Sequence, residues 1–148
     1  PPFATAFQTL VKTGIDVFRN YSRTYVLWNM ALDENNGPVI PGFGNSTCRG
    51  IVKINQQTGE LTYNLDYYVL AHFSDDLQKD AVRIDSTKGD GNFTSVAFLN
   101  PDGSIVTVLY NQRAEDRNAR VILGDQAVVI PMAGRSVATL VFQSEIMP

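Results

Sequence analysis

The sequence predicts a mostly β protein: an antiparallel β-sandwich preceded by the final helix and strand of a (β/α)8 barrel. Three observations carry this. A helical apolar period runs to about Asn20 and is followed by Tyr25–Leu32, most of which is apolar on both faces. A long stretch rich in Gly, Pro and Asn then interrupts the chain. From Ala81 onward the pattern changes to short β-prone runs separated by turn residues.

In the first segment, Thr5 is the first turn signal, and Phe7, Leu10, Val11, Ile15 and Phe18 recur at steps of three and four. That spacing predicts an amphipathic helix. Gly14 either weakens it or marks close packing, and Arg19 and Arg23 lie where cations suit the helix dipole. Tyr25 to Met30 then reads as a strand covered on both sides, the usual state of a parallel strand in an α/β layer. A parallel strand needs neighbours reached by crossover connections, and no upstream residues here supply one. Residues 1–32 are therefore assigned to the end of a barrel, and residues 33–148 to the exit loop and the sandwich.

Asp33 to Gly50 is a long loop punctuated by Asn35-Asn36-Gly37-Pro38 and Pro41-Gly42; loops of this length are often functional. Residues 51–54 and 61–63 flank a turn, which predicts a hairpin. Asn64 is placed as the N-cap of a second helix whose apolar face holds Leu65, Tyr68, Val69, His72 and Phe73. Strands are predicted over 81–85, 94–99, 104–111, 119–123, 126–130 and 136–142. Asn100-Pro101-Asp102-Gly103 turns the second into the third, and Gly124-Asp125 makes a two-residue hairpin between the fourth and fifth.

Composition narrows the function. The 148 residues carry a net charge of -3 with 44% hydrophobic and 18% charged residues, as a globular domain does. Lys and Arg form no cluster: Arg113, Arg117 and Arg120 alternate with Glu115 and Asp116, so no nucleic-acid partner is expected. No apolar run reaches membrane-spanning length. The single cysteine, Cys48, allows no internal disulfide, and burial suits it better than a nucleophilic role. No metal or other cofactor is expected, because the single histidine, His72, has no carboxylate or thiol at ligand spacing. A hydrogen-bonded packing role suits it better. Asp33-Glu34 and Asp75-Asp76 are adjacent carboxylates, which usually point apart into water. Trp28, near the carboxyl end of a barrel-type strand where chemistry is carried, suits either stacking on a sugar ring or filling the barrel core.

Several motifs together resemble one family. Trp28-Asn29-Met30-Ala31-Leu32-Asp33 with Gly37-Pro38, Cys48-Arg49-Gly50-Ile51-Val52, and Tyr68-x-Leu70-x-His72-Phe73-Ser74 occur in the order and spacing of the C-terminal part of glycoside hydrolase family 30. So do Leu99-x-Pro101-Asp102-Gly103-Ser104 and Gly134-Arg135-Ser136-Val137-Ala138-Thr139. This is the family of acid β-glucosidase (glucosylceramidase), and the resemblance spans nearly the whole chain.

The resemblance implies a barrel fused to a sandwich that hydrolyses β-glycosidic bonds with retention, using two carboxyl groups roughly 5 Å apart. In the family these are glutamates near the ends of the fourth and seventh barrel strands, upstream of the part matching Pro1. None of the 15 Asp and Glu residues here aligns with them, so no catalytic residue is assigned and the chain by itself is expected to be inactive. Trp28 and Asn29 match a Trp-Asn at the end of the eighth strand, which implies substrate binding at Trp28 and, by its neighbour, Asn29. The implied partners are a β-glucoside or other β-glycoside and the upstream barrel portion, in the same chain or another. That upstream part also supplies one or more sandwich strands from its extreme N-terminus in this family. A secreted, periplasmic or lysosome-like location is implied as well. Many bacterial relatives carry a second cysteine before the one matching Cys48; Gly42-Phe43-Gly44-Asn45 stands there in this sequence. The alternatives are a stand-alone carbohydrate-binding or interaction sandwich, or one half of a split glycosidase.

Overall fold

The structure, a computed structural model, describes residues 3–44 and 48–143. The predicted Gly42–Asn45 stretch thus falls partly outside the described residues, at Asn45. The first element is α1 (Phe3–Arg19), which starts before Thr5. Its apolar stripe is real: Ala6, Val11 and Ile15 are buried, Val11 and Ile15 completely.

The expected doubly buried strand over Tyr25–Met30 is not formed. Residues 24–27 have no ladder pairing, and β1 covers only Ala31–Asp33. Val26, Trp28 and Met30 are exposed at 84%, 80% and 78%. A strand needs an adjacent backbone to pair with, and within the described residues only β2 (Val52–Ile54) reaches this one. That pairing is parallel, Ala31 opposite Val52, so the neighbour lies downstream across the 33–50 loop rather than upstream. β2 also pairs antiparallel with β3 (Leu61–Tyr63), as the hairpin reading requires.

α2 (Leu65–Ala71) follows. Asn64 occupies its N-cap with extended dihedrals, but its side chain caps nothing. The Asn64 amide donates instead to Gly50 O at 2.8 Å, tying the helix start to the loop. The buried face is Leu65, Val69 and Phe73; Tyr68, expected there, is exposed. The apolar face is narrower than the spacing predicts, since only one row of this two-turn helix is covered.

The rest is β. β4 (Val82–Ile84), β5 (Phe93–Leu99), β6 (Ile105–Asn111) and β9 (Val137–Phe142) form one antiparallel sheet in the order β4-β5-β6-β9. β7 (Arg117–Leu123) and β8 (Gln126–Met132) form a hairpin sheet. Its loop puts the positive φ (+60°) on Gly124, the first central position, as a type II′ turn demands. The other predicted turn closes with Gly103 N–H on Asn100 O at 3.0 Å and Asn100 N–H on Ser104 O at 2.9 Å.

Alternation sends β5 and β6 side chains to two cores. On one face Val96, Phe98, Val108 and Tyr110 pack against both helices. On the other, Leu109 meets Ala119 and Met132 of the hairpin, with Phe93, Val121, Ile130 and Ala138 around them. This accounts for β6, every residue of which is buried. A cleft of about 590 Å³, lined among others by Ile84, Ala97, Ile105, Val121 and Phe142, remains between that face and β7.

Candidate functional site

The surroundings of Trp28 are fixed from two sides. Upstream, the Tyr25 hydroxyl donates to Leu10 O of α1 at 3.0 Å. Its ring lies edge-on to Phe18 and Phe73, with centroids 6.4 and 6.0 Å away. Phe18 in turn meets Phe98 of β5 edge-on at 5.5 Å, so the sandwich contributes to this anchor. Burial, with the Asp66 carboxylate a smaller influence, pushes the Tyr25 hydroxyl up to about 12, so it stays a neutral donor. Gly14 explains the close approach: a Cβ there would lie 2.6 Å from Phe73 Cε2 and 3.2 Å from Tyr25 Cε1. Downstream, Ile51 and Val52 N–H donate to the Asn29 and Met30 carbonyls at 3.1 and 3.0 Å.

Trp28 thus precedes β1 instead of ending a longer strand, and its indole is largely exposed. Asn29 is half-buried with φ +67°. The two residues are adjacent on one anchored segment.

The loop after β1 is built on Asp33. Its Oδ1 accepts from Asn35 N at 2.8 Å and Gly37 N at 2.7 Å, while Asp33 N–H donates to Gly37 O at 2.8 Å. Glu34 Oε2 accepts from Gln56 N at 2.9 Å, linking loop and hairpin. The adjacent carboxylates therefore hold backbone N–H groups separately and do not face each other as an acid/base pair. Asp75 and Asp76 are exposed.

Beyond the loop, Arg49 Nε lies 2.7 Å from Asp66 Oδ2 and its Nη2 3.3 Å from Oδ1. Asp66 is buried in the first turn of α2, so this pair clamps the loop end to the helix. Cys48, expected to be buried, is exposed. His72 is the packing residue expected: its Nδ1 is 2.8 Å from Thr139 Oγ1 of β9. Burial holds its pKa below the usual imidazole value, against a smaller upward pull from Asp76. Among the described residues no group of three or more His, Cys, Asp or Glu could hold a metal ion. No described helix is long and apolar enough to cross a membrane.

Sequence reasoning missed one feature: Tyr63, Tyr67 and Tyr68 form an exposed aromatic group, with centroids 4.4 Å apart for the first pair and 5.4 Å for the second. The doubled tyrosine was a signal, misread because helical spacing placed Tyr68 inward.

Residues 80–140 match the glycosyl hydrolase family 30 beta sandwich domain. This stretch is a family 30 β-sandwich domain. Matches to curated relatives take in more of the chain than this stretch. An endo-1,6-beta-D-glucanase of Trichoderma harzianum is 33% identical over 120 residues, 78% of this chain and 24% of the relative. A putative glucosylceramidase 2 of Caenorhabditis elegans is 35% identical over 101 residues, 66% of this chain and 19% of the relative. Among solved structures, SrfJ from Salmonella typhimurium superposes with TM-score 0.88 at 26% identity, covering 97% of this chain and 32% of that one. The endo-beta1,6-glucanase BT3312 gives 0.81 at 29% identity, covering 93% and 31%. The chain spans about a quarter of the curated relative from T. harzianum. α1, the Trp28 segment and α2 lie upstream of the family 30 sandwich match but within the superposed length.

Proposed function

We propose that this chain is the C-terminal portion of a retaining β-glycosidase, with β-1,6-glucan as the substrate class to test first. The observation that carries the reading is the exposure of alternate residues Val26, Trp28 and Met30 on the segment leading into a parallel strand, upstream of a family 30 sandwich. Alternate apolar side chains on such a segment suit a strand end inside a barrel, and a largely exposed indole suits a sugar-stacking residue. Trp28 would cover the apolar face of a glucosyl ring and exclude water from it. It moves no proton. The acid/base and nucleophile carboxylates, roughly 5 Å apart in a retaining enzyme, would come from the upstream barrel portion.

The glucan preference is supported by relatives named as endo-1,6-β-glucanases. The C. elegans relative, named as a putative glucosylceramidase, keeps glucosylceramide as the second substrate to assay. The cleft beside β7 suits a further strand from the upstream part. A stand-alone module is disfavoured by the same row of apolar side chains, which would be an aggregation hazard left uncovered.

The test is kinetics of the full-length protein from the complete reading frame. It should hydrolyse β-1,6-glucan or another β-glucoside, and Trp28→Ala should lower kcat/KM by about 10- to 100-fold, with an unchanged melting temperature. Absence of hydrolysis on every β-glucoside would overturn the glycosidase reading, and unchanged Trp28→Ala kinetics would remove Trp28 from the site. The 148-residue chain alone should be inactive; turnover by it would mean that the carboxylates lie within these residues.

A further inference from the structure

Trp28 is followed by a residue in a backbone conformation that most side chains avoid. Asn29 has φ +67°, in the left-handed region. Asparagine is among the few non-glycine residues enriched there, because its short amide can bond locally.

The ladder beside it is irregular at the same place. Ile51 N–H donates to Asn29 O at 3.1 Å and Val52 N–H to Met30 O at 3.0 Å. Val52 N–H on Met30 O is the bond the parallel register at Ala31 requires, and Ile51 N–H on Asn29 O, the next N–H back, departs from the alternation of a regular strand. From Ala31 the parallel register with β2 is regular. A left-handed residue at the entry to a strand turns the chain there and so sets the direction of the side chain before it. Upstream, Tyr25 is held by Leu10 O, Phe18 and Phe73. Trp28 therefore sits between a fixed tyrosine and two carbonyls held by Ile51 and Val52, and the backbone hand of Asn29 determines the direction in which the Trp28 side chain leaves the chain.

We propose that Asn29 is a positioning residue whose left-handed backbone, rather than its amide, aims Trp28. The consequence for catalysis rests on the reading of Trp28 as a sugar-stacking residue; the placement of Trp28 does not. If the amide contacted substrate, glycine at this position would be as damaging as alanine. If the backbone is what matters, glycine suffices, since it adopts positive φ at no steric cost.

The experiment is the series Asn29→Gly, Asn29→Ala and Asn29→Val in the full-length protein, read in two ways. One is kcat and KM on β-1,6-glucan. The other needs no substrate: the rate of Trp28 oxidation by N-bromosuccinimide, located by peptide mass spectrometry. Asn29→Gly should keep the oxidation rate within about threefold of the parent and lose clearly less in KM than Asn29→Ala. Asn29→Ala and Asn29→Val should raise KM by about tenfold, with a smaller change in kcat, and shift the oxidation rate by about threefold or more. If the valine variant does not fold, the alanine and glycine pair carries the comparison. Glycine as impaired as alanine would overturn the proposal and give the role to the amide. Alanine matching the parent in both readouts would overturn it too. An oxidation rate that shifts in Asn29→Ala but not Asn29→Gly, beside silent Trp28→Ala kinetics, would uphold the positioning and sink the sugar-stacking reading alone.

Discussion

Arg19 Nη1 lies 2.9 Å from the carbonyl oxygen of Ser95, so the last turn of α1 is fastened to β5. The same guanidinium donates to Ser86 Oγ at 3.1 Å and to Ser86 O at 2.7 Å. A position that spacing alone assigned to the helix dipole is a latch between the first helix and the sandwich.

Removing the latch should destabilise the whole unit. Arg19→Ala leaves two part-buried carbonyls without their charged donor, a loss of about 2–3 kcal/mol in unfolding free energy. Arg19→Lys should recover less than half, because an ammonium cannot fork between the Ser86 and Ser95 acceptors. Urea denaturation of the full-length protein measures both, and a loss under about 0.5 kcal/mol for alanine would show that water replaces the latch.

Arg49 and Asp66 form the second fastening. The side chain of Asp66 is 11% exposed and that of Arg49 33%. Arg49→Ala would leave a nearly buried carboxylate unpaired, at a cost of about 3 kcal/mol. The double variant Arg49→Ala/Asp66→Asn should recover part of that loss, since a neutral amide is cheaper to bury. A double variant no better than Arg49→Ala would mean that packing by the arginine stem, not charge, is what was lost.

Gly14 is a packing glycine. Alanine there is a better helix former by about 1 kcal/mol, yet its Cβ would sit 2.6 Å from the Phe73 ring. Overpacking of this kind costs about 1–3 kcal/mol. The clash should win, so Gly14→Ala is expected to lower the melting temperature. A raised melting temperature would show that Phe73 can move aside.

His72 makes stability depend on pH. Its folded pKa lies below the unfolded value, so the unfolded chain binds the extra proton first. The contribution is fully present above about pH 6.5 and declines as pH falls through that value towards the folded pKa. His72→Gln should flatten this part of the profile, read as melting temperature from pH 8 to 5. An unchanged slope would place the pH dependence on other groups.

The strand pattern was legible because β propensity and turn chemistry are local. Val106 to Tyr110 are β-branched or large apolar residues, and Gly124 supplies a positive φ that the turn needs regardless of context. Trp28 and Asn29 were legible as neighbours in a motif, but the extent of their strand was not. An apolar run states that side chains seek cover and does not state which backbone pairs with them. Here β2 reaches only Ala31–Asp33.

By itself, the sequence determined the order of elements, the two hairpins and the apolar rows that became the cores, since each follows from residues within a few positions of one another. Only the tertiary structure decided the rest. It paired β1 with β2 across a long loop, buried Asp66 under Arg49, turned Arg19 into a latch and set Asn29 in a left-handed conformation beside Trp28. Each of these depends on groups that meet only after the chain has closed on itself. A one-dimensional pattern holds no record of which distant carbonyl or carboxylate will lie within hydrogen-bonding reach.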